Sequence, residues 1–263
     1  MIDTDKILET GIKAAFESGR ILRFYLGNLA EINKKGETDL VTKADIESEK
    51  IITETIRAIY PNHSILAEEG GLTTNDTSSG QSNRWIIDPL DGTTNFAHQL
   101  PLFCCSIAFQ HENEIITGIV FNPVTNELFT AVKNGGAYLN GAKIKVSGKN
   151  DLKESLLVTG FPYDTNGIID PIVKRLSNCL KAAQGIRRLG SAALDLCYIA
   201  CGRFDGFWEQ KLKPWDTAAG YLIASEAGGL VTDFANKPFQ TEMNELLATN
   251  GLIHSQMISM MRI

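Results

Sequence analysis

The chain lacks the features that mark membrane, secreted and nucleic-acid-binding proteins. No apolar run in its 263 residues approaches a bilayer span. The segment Met1 to Lys6 has no basic stretch followed by an apolar core, so no secretory signal is visible and a cytoplasmic protein is expected. The five cysteines (Cys104, Cys105, Cys179, Cys197, Cys201) are odd in number and form no Cys-x-x-Cys, which argues against a disulfide framework. Cys197 and Cys201, four residues apart without flanking Cys or His partners, read as one buried helix face. Histidine is scarce: His63, His98, His111 and His254 are scattered, and His63 is expected to be structural. Basic residues are outnumbered, 25 against 31 acids, for a net charge of −6. With no basic stripe to release counterions, nucleic acid is not expected as a main partner. There is no internal repeat, low-complexity tract or linker, so residues 1–263 are expected to form one domain of two closely packed α/β halves.

What the chain does contain is alternating helical and strand-like segments. Leu8, Ile12, Ala15, Gly19, Leu22 and Leu26 predict a helix over 4–26, capped by Asp3 or Thr4 and stopped by Gly27. Asn33 to Thr38 reads as a polar loop. A second helix is predicted from Lys43 to Tyr60 with Ser48, Ile52, Ile56 and Ile59 on one stripe, ended by Pro61. A short strand at 64–66 leads into Glu68-Glu69-Gly70, and 71–83 reads as a surface loop. Strand-like segments 103–110, 115–121, 127–132 and 137–146, joined by Asn- and Gly-rich turns, predict an antiparallel meander. The second half predicts strands at 155–159, 205–209, 229–233 and 246–249. Helices are predicted at 168–182, 190–201, 216–226 and from His254.

The most informative run is Trp85-Ile86-Ile87-Asp88-Pro89-Leu90-Asp91-Gly92-Thr93-Thr94-Asn95-Phe96. It reads as a buried strand ending in two carboxylates, then a turn that could open a helix. Pro89 fixes the backbone between the acids and Gly92 permits close backbone approach. Such a bite suits a hard cation with octahedral oxygen ligands, namely magnesium. Asp45, Glu68 with Glu69, and Asp216 lie at other element boundaries. Each alone is compatible with a helix cap or turn. Together, carboxylates beside exposed N–H groups can hold a dication and an anion, as phosphate-ester hydrolysis requires.

These motifs resemble the inositol monophosphatase family of lithium-sensitive, magnesium-dependent phosphatases, over essentially the whole chain. The resemblance is carried by Trp85 to Phe96, by Pro214-Trp215-Asp216-Thr217-Ala218-Ala219-Gly220 running to Gly229, by Asp39 to Asp45, and by His63 to Gly70. It implies an α+β fold, the layered α-β-α-β-α sandwich shared with fructose bisphosphatases, and a homodimer. It implies two or three Mg2+ ions per site. Glu68, Asp88 and the Leu90 carbonyl would hold one, Asp88, Asp91 and Asp216 a second, with a weaker third near Glu68. Asp45 with Thr93 would orient and deprotonate the attacking water. Gly92 and Thr93 would offer N–H groups to the phosphate. Ser191, Ala192 and Glu209 match positions that contact sugar hydroxyls, and Lys34 matches a mobile-loop lysine. Trp215 is expected to pack beneath Asp216. Arg187-Arg188 reads equally as a second-phosphate contact or as a solvated or interface pair.

The implied activity is hydrolysis of inositol monophosphate to inositol and phosphate. Thr94-Asn95-Phe96 resembles the inositol-phosphate branch rather than the phosphoadenosine-phosphate branch. Thr159 to Asp164 departs from the animal enzymes, which leaves two alternatives open. One is a broader sugar or polyol phosphatase that includes fructose bisphosphate. The other is a relative whose main role is binding transcription machinery.

Overall fold

The computed structural model describes residues 2–26, 32–35, 39–74 and 83–263, with 32–35 and 39–42 described by their backbone alone. In chain order the first elements are α1 (Thr4–Tyr25), β1 (Ile32–Lys35), β2 (Asp39–Thr42), α2 (Lys43–Arg57), β3 (Ser64–Ala67), β4 (Gly71–Thr73), β5 (Asn83–Asp91) and α3 (Thr93–Ala97). The meander follows as β6 (Cys104–His111), β7 (Glu114–Asn122), β8 (Glu127–Val132), β9 (Gly136–Leu139) and β10 (Ala142–Lys143). The second half holds β11 (Leu156–Thr159), α4 (Ile169–Ala182), β12 (Gly185–Arg187), α5 (Ala192–Ala200), β13 (Gly206–Gln210), α6 (Pro214–Glu226), β14 (Leu230–Thr232), β15 (Glu245–Thr249) and α7 (His254–Met261).

Eight strands form one sheet in the order β10-β9-β8-β7-β6-β5-β3-β4, and five form a second in the order β12-β11-β13-β15-β14. Strand periodicity sorts their side chains into layers. On β6, Cys105, Ile107 and Phe109 join the core beneath α1 and α2, whereas Cys104 and Ala108 face the core around α5 and α6. On β13, Phe207 faces that same central core, while Trp208 joins Cys179 and Met257 under α4 and α7. The stacking is therefore α1/α2, eight-stranded sheet, α5/α6, five-stranded sheet, α4/α7: the expected α-β-α-β-α order.

The meander forms as predicted. Several expectations shift. α1 buries Ala15, Gly19 and Leu22 of the predicted stripe, with Leu8 and Ile12 partly covered, and widens it to Ile7, Gly11, Ala14 and Ser18. Small residues let the helix axis approach the sheet, where a Cβ at Gly11 would lie 2.7 Å from Ile119. Asp3 is the cap, accepting from the Lys6 N–H at 3.1 Å. Gly27, the expected stop, lies outside the described residues; the cap is Leu26. α2 ends at Arg57 rather than Tyr60, so Ile59 falls in a turn and is exposed. Residues 33–35 and 71–73, expected as loop, are strands; each pairs as a short polar hairpin arm whose composition resembles a turn. Residues 36–38 and 75–82 of those loops lie outside the described set. β12 has only three residues, too few to show a period. All five cysteines are free, and four of them are buried.

Candidate active site

The site forms where β5 breaks its register. Asp88 pairs with Ser106 and Asp91 with Cys104, so three steps on β5 match two on β6. Pro89 lacks the N–H a regular ladder would use, and one extra residue is accommodated as a bulge. The consequence is geometric. In an unbroken strand, residues 88 and 91 would point to opposite faces. The bulge turns Asp91 back toward α5, where its Oδ2 accepts from Ser191 Oγ at 2.6 Å and from the Ala193 N–H at 2.7 Å. A buried chain holds the bulge from behind: Ser48 Oγ donates to the Pro89 carbonyl at 2.9 Å and lies 2.7 Å from Ser18 Oγ.

Other elements bring the remaining acids. β3 runs parallel to β5 with Ala67 opposite Ile87, which sets Glu68 beside Asp88; the Glu68 N–H donates to the Ile87 carbonyl at 3.2 Å. Glu49 of α2 holds the turn after β3 by accepting from the Glu69 and Gly70 N–H groups, each at 2.8 Å. Asp45 lies in the first turn of α2 and Asp216 in the first turn of α6. Asp216 Oδ2 accepts from the Lys213 N–H at 2.7 Å, which orients the carboxyl at the start of α6. The positive ends of these helix dipoles favour acids there. α3 begins at Thr93 after Gly92, whose φ of 96° is left-handed, and a Cβ there would lie 2.8 Å from the Leu102 carbonyl. The Thr93 hydroxyl lies 3.4 Å from Asp45 Oδ2 and 3.0 Å from the Leu90 carbonyl. The Leu90 side chain points away, into a small core with Phe96 and Phe103.

The electrostatics are those of crowded acids. Burial first, then the charges of Glu68, Asp91, Asp216 and Asp45, push Asp88 well above the usual carboxylate range. Burial and Asp91 do the same to Asp216. Burial also raises Asp91, opposed by its bonds from Ser191 and the α5 backbone. Asp45, Glu68 and Glu69 bring ligand oxygens within 4.8 Å of one another. An all-oxygen donor set whose members repel one another fits hard dications such as magnesium. Glu69, to which the family resemblance gives no role, thus belongs to the cluster.

A cleft of about 500 Å3 reaches the cluster at Glu68 and Asp216, and is lined further by Trp215, Glu209, Lys211, Lys213 and the lip Phe161 to Asp164. A groove of about 560 Å3 at the far end of α6, beside Lys133, Tyr221 and Phe239, contains none of the site acids. Trp215 therefore faces the cleft as well as packing on the central core. Glu209 is 8% exposed, and burial pushes its carboxyl up to about 8, with Arg188 acting in the opposite direction. Ser191 is buried and its hydroxyl proton is committed to Asp91. Ala192 opens α5 beside it. The backbone of Lys34 lies in β1; its side chain is outside the described residues. His63 accepts from Trp85 Nε1 at 3.1 Å and stacks on Tyr60, a structural position.

Asp195 was not singled out. It lies one turn into α5, buried, with neither carboxyl oxygen hydrogen-bonded among the described residues. Burial, then Glu209 and Asp91, raise it well above the carboxylate range. A lone acid inside Ala-Ala-Leu-Asp-Leu-Cys-Tyr-Ile-Ala was the available signal.

The model of the inositol monophosphatase family matches residues 3–262. The chain belongs to that family. An inositol-1-monophosphatase from Synechocystis is 43% identical over 259 residues, covering 97% of this chain and 88% of the relative. A protein from Vibrio cholerae named Nus factor SuhB is 44% identical, covering 93% and 91%. The structure of inositol monophosphatase from Anabaena superposes with a TM-score of 0.88 at 40% identity, covering 98% of this chain and 96% of that one. For this inositol monophosphatase family member the layered fold and the cluster at the β5 bulge are mutually consistent.

Proposed function

We propose that the chain is a magnesium-dependent phosphomonoesterase that hydrolyses inositol monophosphate to inositol and phosphate. The observation that carries this is the clustering of Glu68, Asp91 and Asp216 around Asp88 at the β5 bulge, with Glu68 and Asp216 on the wall of the cleft. Those side chains and the Leu90 carbonyl are the residues that would hold the ions. Magnesium bound there supplies Lewis acidity, which lowers the pKa of water and neutralises charge on the phosphoryl and leaving oxygens.

The chain's own groups do the rest. Thr93 lies between Asp45 and the Leu90 carbonyl, so its hydroxyl can pass a proton from water toward Asp45. The N–H groups of Gly92 and Thr93, at the start of α3, have no intrahelical acceptor and are available to a phosphate oxygen. Ser191 and the Ala193 N–H hold one oxygen of Asp91 and leave the other for a ligand. Glu209 accepts hydrogen bonds from vicinal hydroxyls, which favours a polyol. Ala192 shapes the wall beside Asp91. Lithium inhibits by occupying a magnesium position. The enzyme works as a homodimer in the cytoplasm. Among the described residues no helix is long and apolar enough to cross a membrane.

Phosphate release from inositol phosphate, fructose bisphosphate, histidinol phosphate and phosphoadenosine phosphate, each with and without magnesium, tests the reading. Activity that persists unchanged in chelator refutes the mechanism, and preference for fructose bisphosphate moves the assignment to the broader sugar phosphatases. The Nus factor name of the Vibrio cholerae relative favours one second reading, a partner-binding role beside hydrolysis. A cellular phenotype that survives Asp88→Asn would support it.

A further inference from the structure

We infer that Gly160 is a positioning residue for Glu209, and that its missing side chain sets how the pocket meets a polyol. This rests on the reading that Glu209 contacts the substrate hydroxyls.

β11 and β13 are parallel, with Leu157 opposite Gly206, Val158 opposite Phe207 and Thr159 opposite Trp208. The same register sets position 160 beside Glu209, just past the end of β11. Side chains on adjacent parallel strands point the same way at paired positions. A side chain at 160 and the Glu209 carboxyl therefore compete for one volume. A Cβ built at Gly160 would overlap Cδ and both carboxyl oxygens of Glu209. Backbone conformation does not account for the glycine, since its φ is not positive. Gly160 is buried, and among the described residues no group donates a hydrogen bond to the Glu209 carboxylate. A buried carboxyl without an internal partner has hydrogen-bonding capacity left for a ligand. Gly160 is also the residue from which the lip Phe161, Pro162, Tyr163 departs over the cleft. Any larger residue must displace the Glu209 carboxyl from this position.

The test is a double-variant cycle of G160A and E209A in the magnesium-loaded protein. The readouts are kcat/KM for inositol monophosphate relative to p-nitrophenyl phosphate, which has no hydroxyl for Glu209 to meet, and Tm. E209A should lower that ratio roughly tenfold to a hundredfold, the effect of leaving a buried substrate hydroxyl without its partner. G160A should lower it in the same direction, chiefly through the KM for inositol monophosphate. G160A/E209A should match E209A alone. G160A should lower Tm in the parent and leave it unchanged beside E209A, a comparison that holds even if G160A is too unstable to assay. An unchanged ratio and Tm in G160A, or an equal Tm shift in both backgrounds, overturns the proposal. A ratio that falls in E209A but not in G160A retires Gly160 alone. A ratio unmoved by E209A retires the substrate role of Glu209, and Gly160 with it.

Discussion

Ser191→Ala should weaken magnesium affinity before it unfolds the protein. The hydroxyl donates to Asp91 Oδ2 at 2.6 Å and accepts from the Leu194 N–H at 3.4 Å. A hydrogen bond to a charged acceptor contributes about 1.5–3 kcal/mol. The cap is long, so it falls at the low end of the usual range, about 0.5 kcal/mol. Urea denaturation in chelator should therefore show a loss of about 2–3 kcal/mol, the two terms not being strictly additive. The diagnostic effect is on Asp91. Among the groups that hold its pKa down against burial, Ser191 acts most strongly. Removing a donor to the ionised form raises the pKa further. A cation must then displace a more tightly held proton, so half-saturating magnesium should rise, and rise more at lower pH. Activity would be titrated with magnesium chloride at several pH values in the parent, Ser191→Ala and Ser191→Thr. The threonine keeps the hydroxyl and should restore most of the affinity. If Ser191→Ala loses stability yet keeps the parent magnesium curve at every pH, Ser191 only caps α5 and the orienting role is wrong.

Asp88→Asn should cut kcat by about a thousandfold or more, since it removes the acid shared by both proposed ion positions. In chelator it should raise Tm, because one of several mutually repelling buried charges has gone; a lower Tm would contradict the repulsion. The metal-free protein should lose stability as pH rises from the unfolded glutamate value near 4.5 toward about 8, because Glu209 binds its proton more tightly when folded. Glu209→Gln should flatten that slope by up to about 5 kcal/mol across the window, read by urea midpoints at each pH. Asp88 and Asp195 keep part of the slope, and an unchanged slope in Glu209→Gln would show that Glu209 ionises freely in the fold. Gly92→Ala should cost about 1–3 kcal/mol in urea midpoint, because its φ is left-handed and the added methyl meets the Leu102 carbonyl.

Period and punctuation in the sequence determined much of the fold. Turn residues at Asn122-Pro123, Asn134-Gly135-Gly136 and Asn140-Gly141 mark hairpin reversals whatever lies around them, and the meander follows. The acids of the site were legible because each ends or starts an element, a position visible in one dimension. Segments such as 33–35, 71–73 and Gly185–Arg187 were not legible, because three or four residues carry no period; the first two are arms of local hairpins with turn-like composition, and only Gly185–Arg187 pairs with a strand distant along the chain. The buried face of α1 is wider than its apolar stripe because Gly11 and its small neighbours become core only once Ile119 and Phe121 of β7 press against the helix.

What tertiary structure alone decided is direction. The spacing of Asp88 and Asp91 is the wrong one for a common strand face, and only the slip in register against β6 turns both toward α5 and α6. Ser191 matches a sugar-contacting position in the sequence, and only the fold brings Asp91 to its hydroxyl; Asp195 carries no motif, and only the fold sets Glu209 and Arg188 near it. The empty position at Gly160 is likewise meaningless until β13 lays Glu209 across it. A sequence records which groups exist and how local backbone preferences space them. The volumes they share, and the charges they force on one another, arise between strands and helices that meet only on folding.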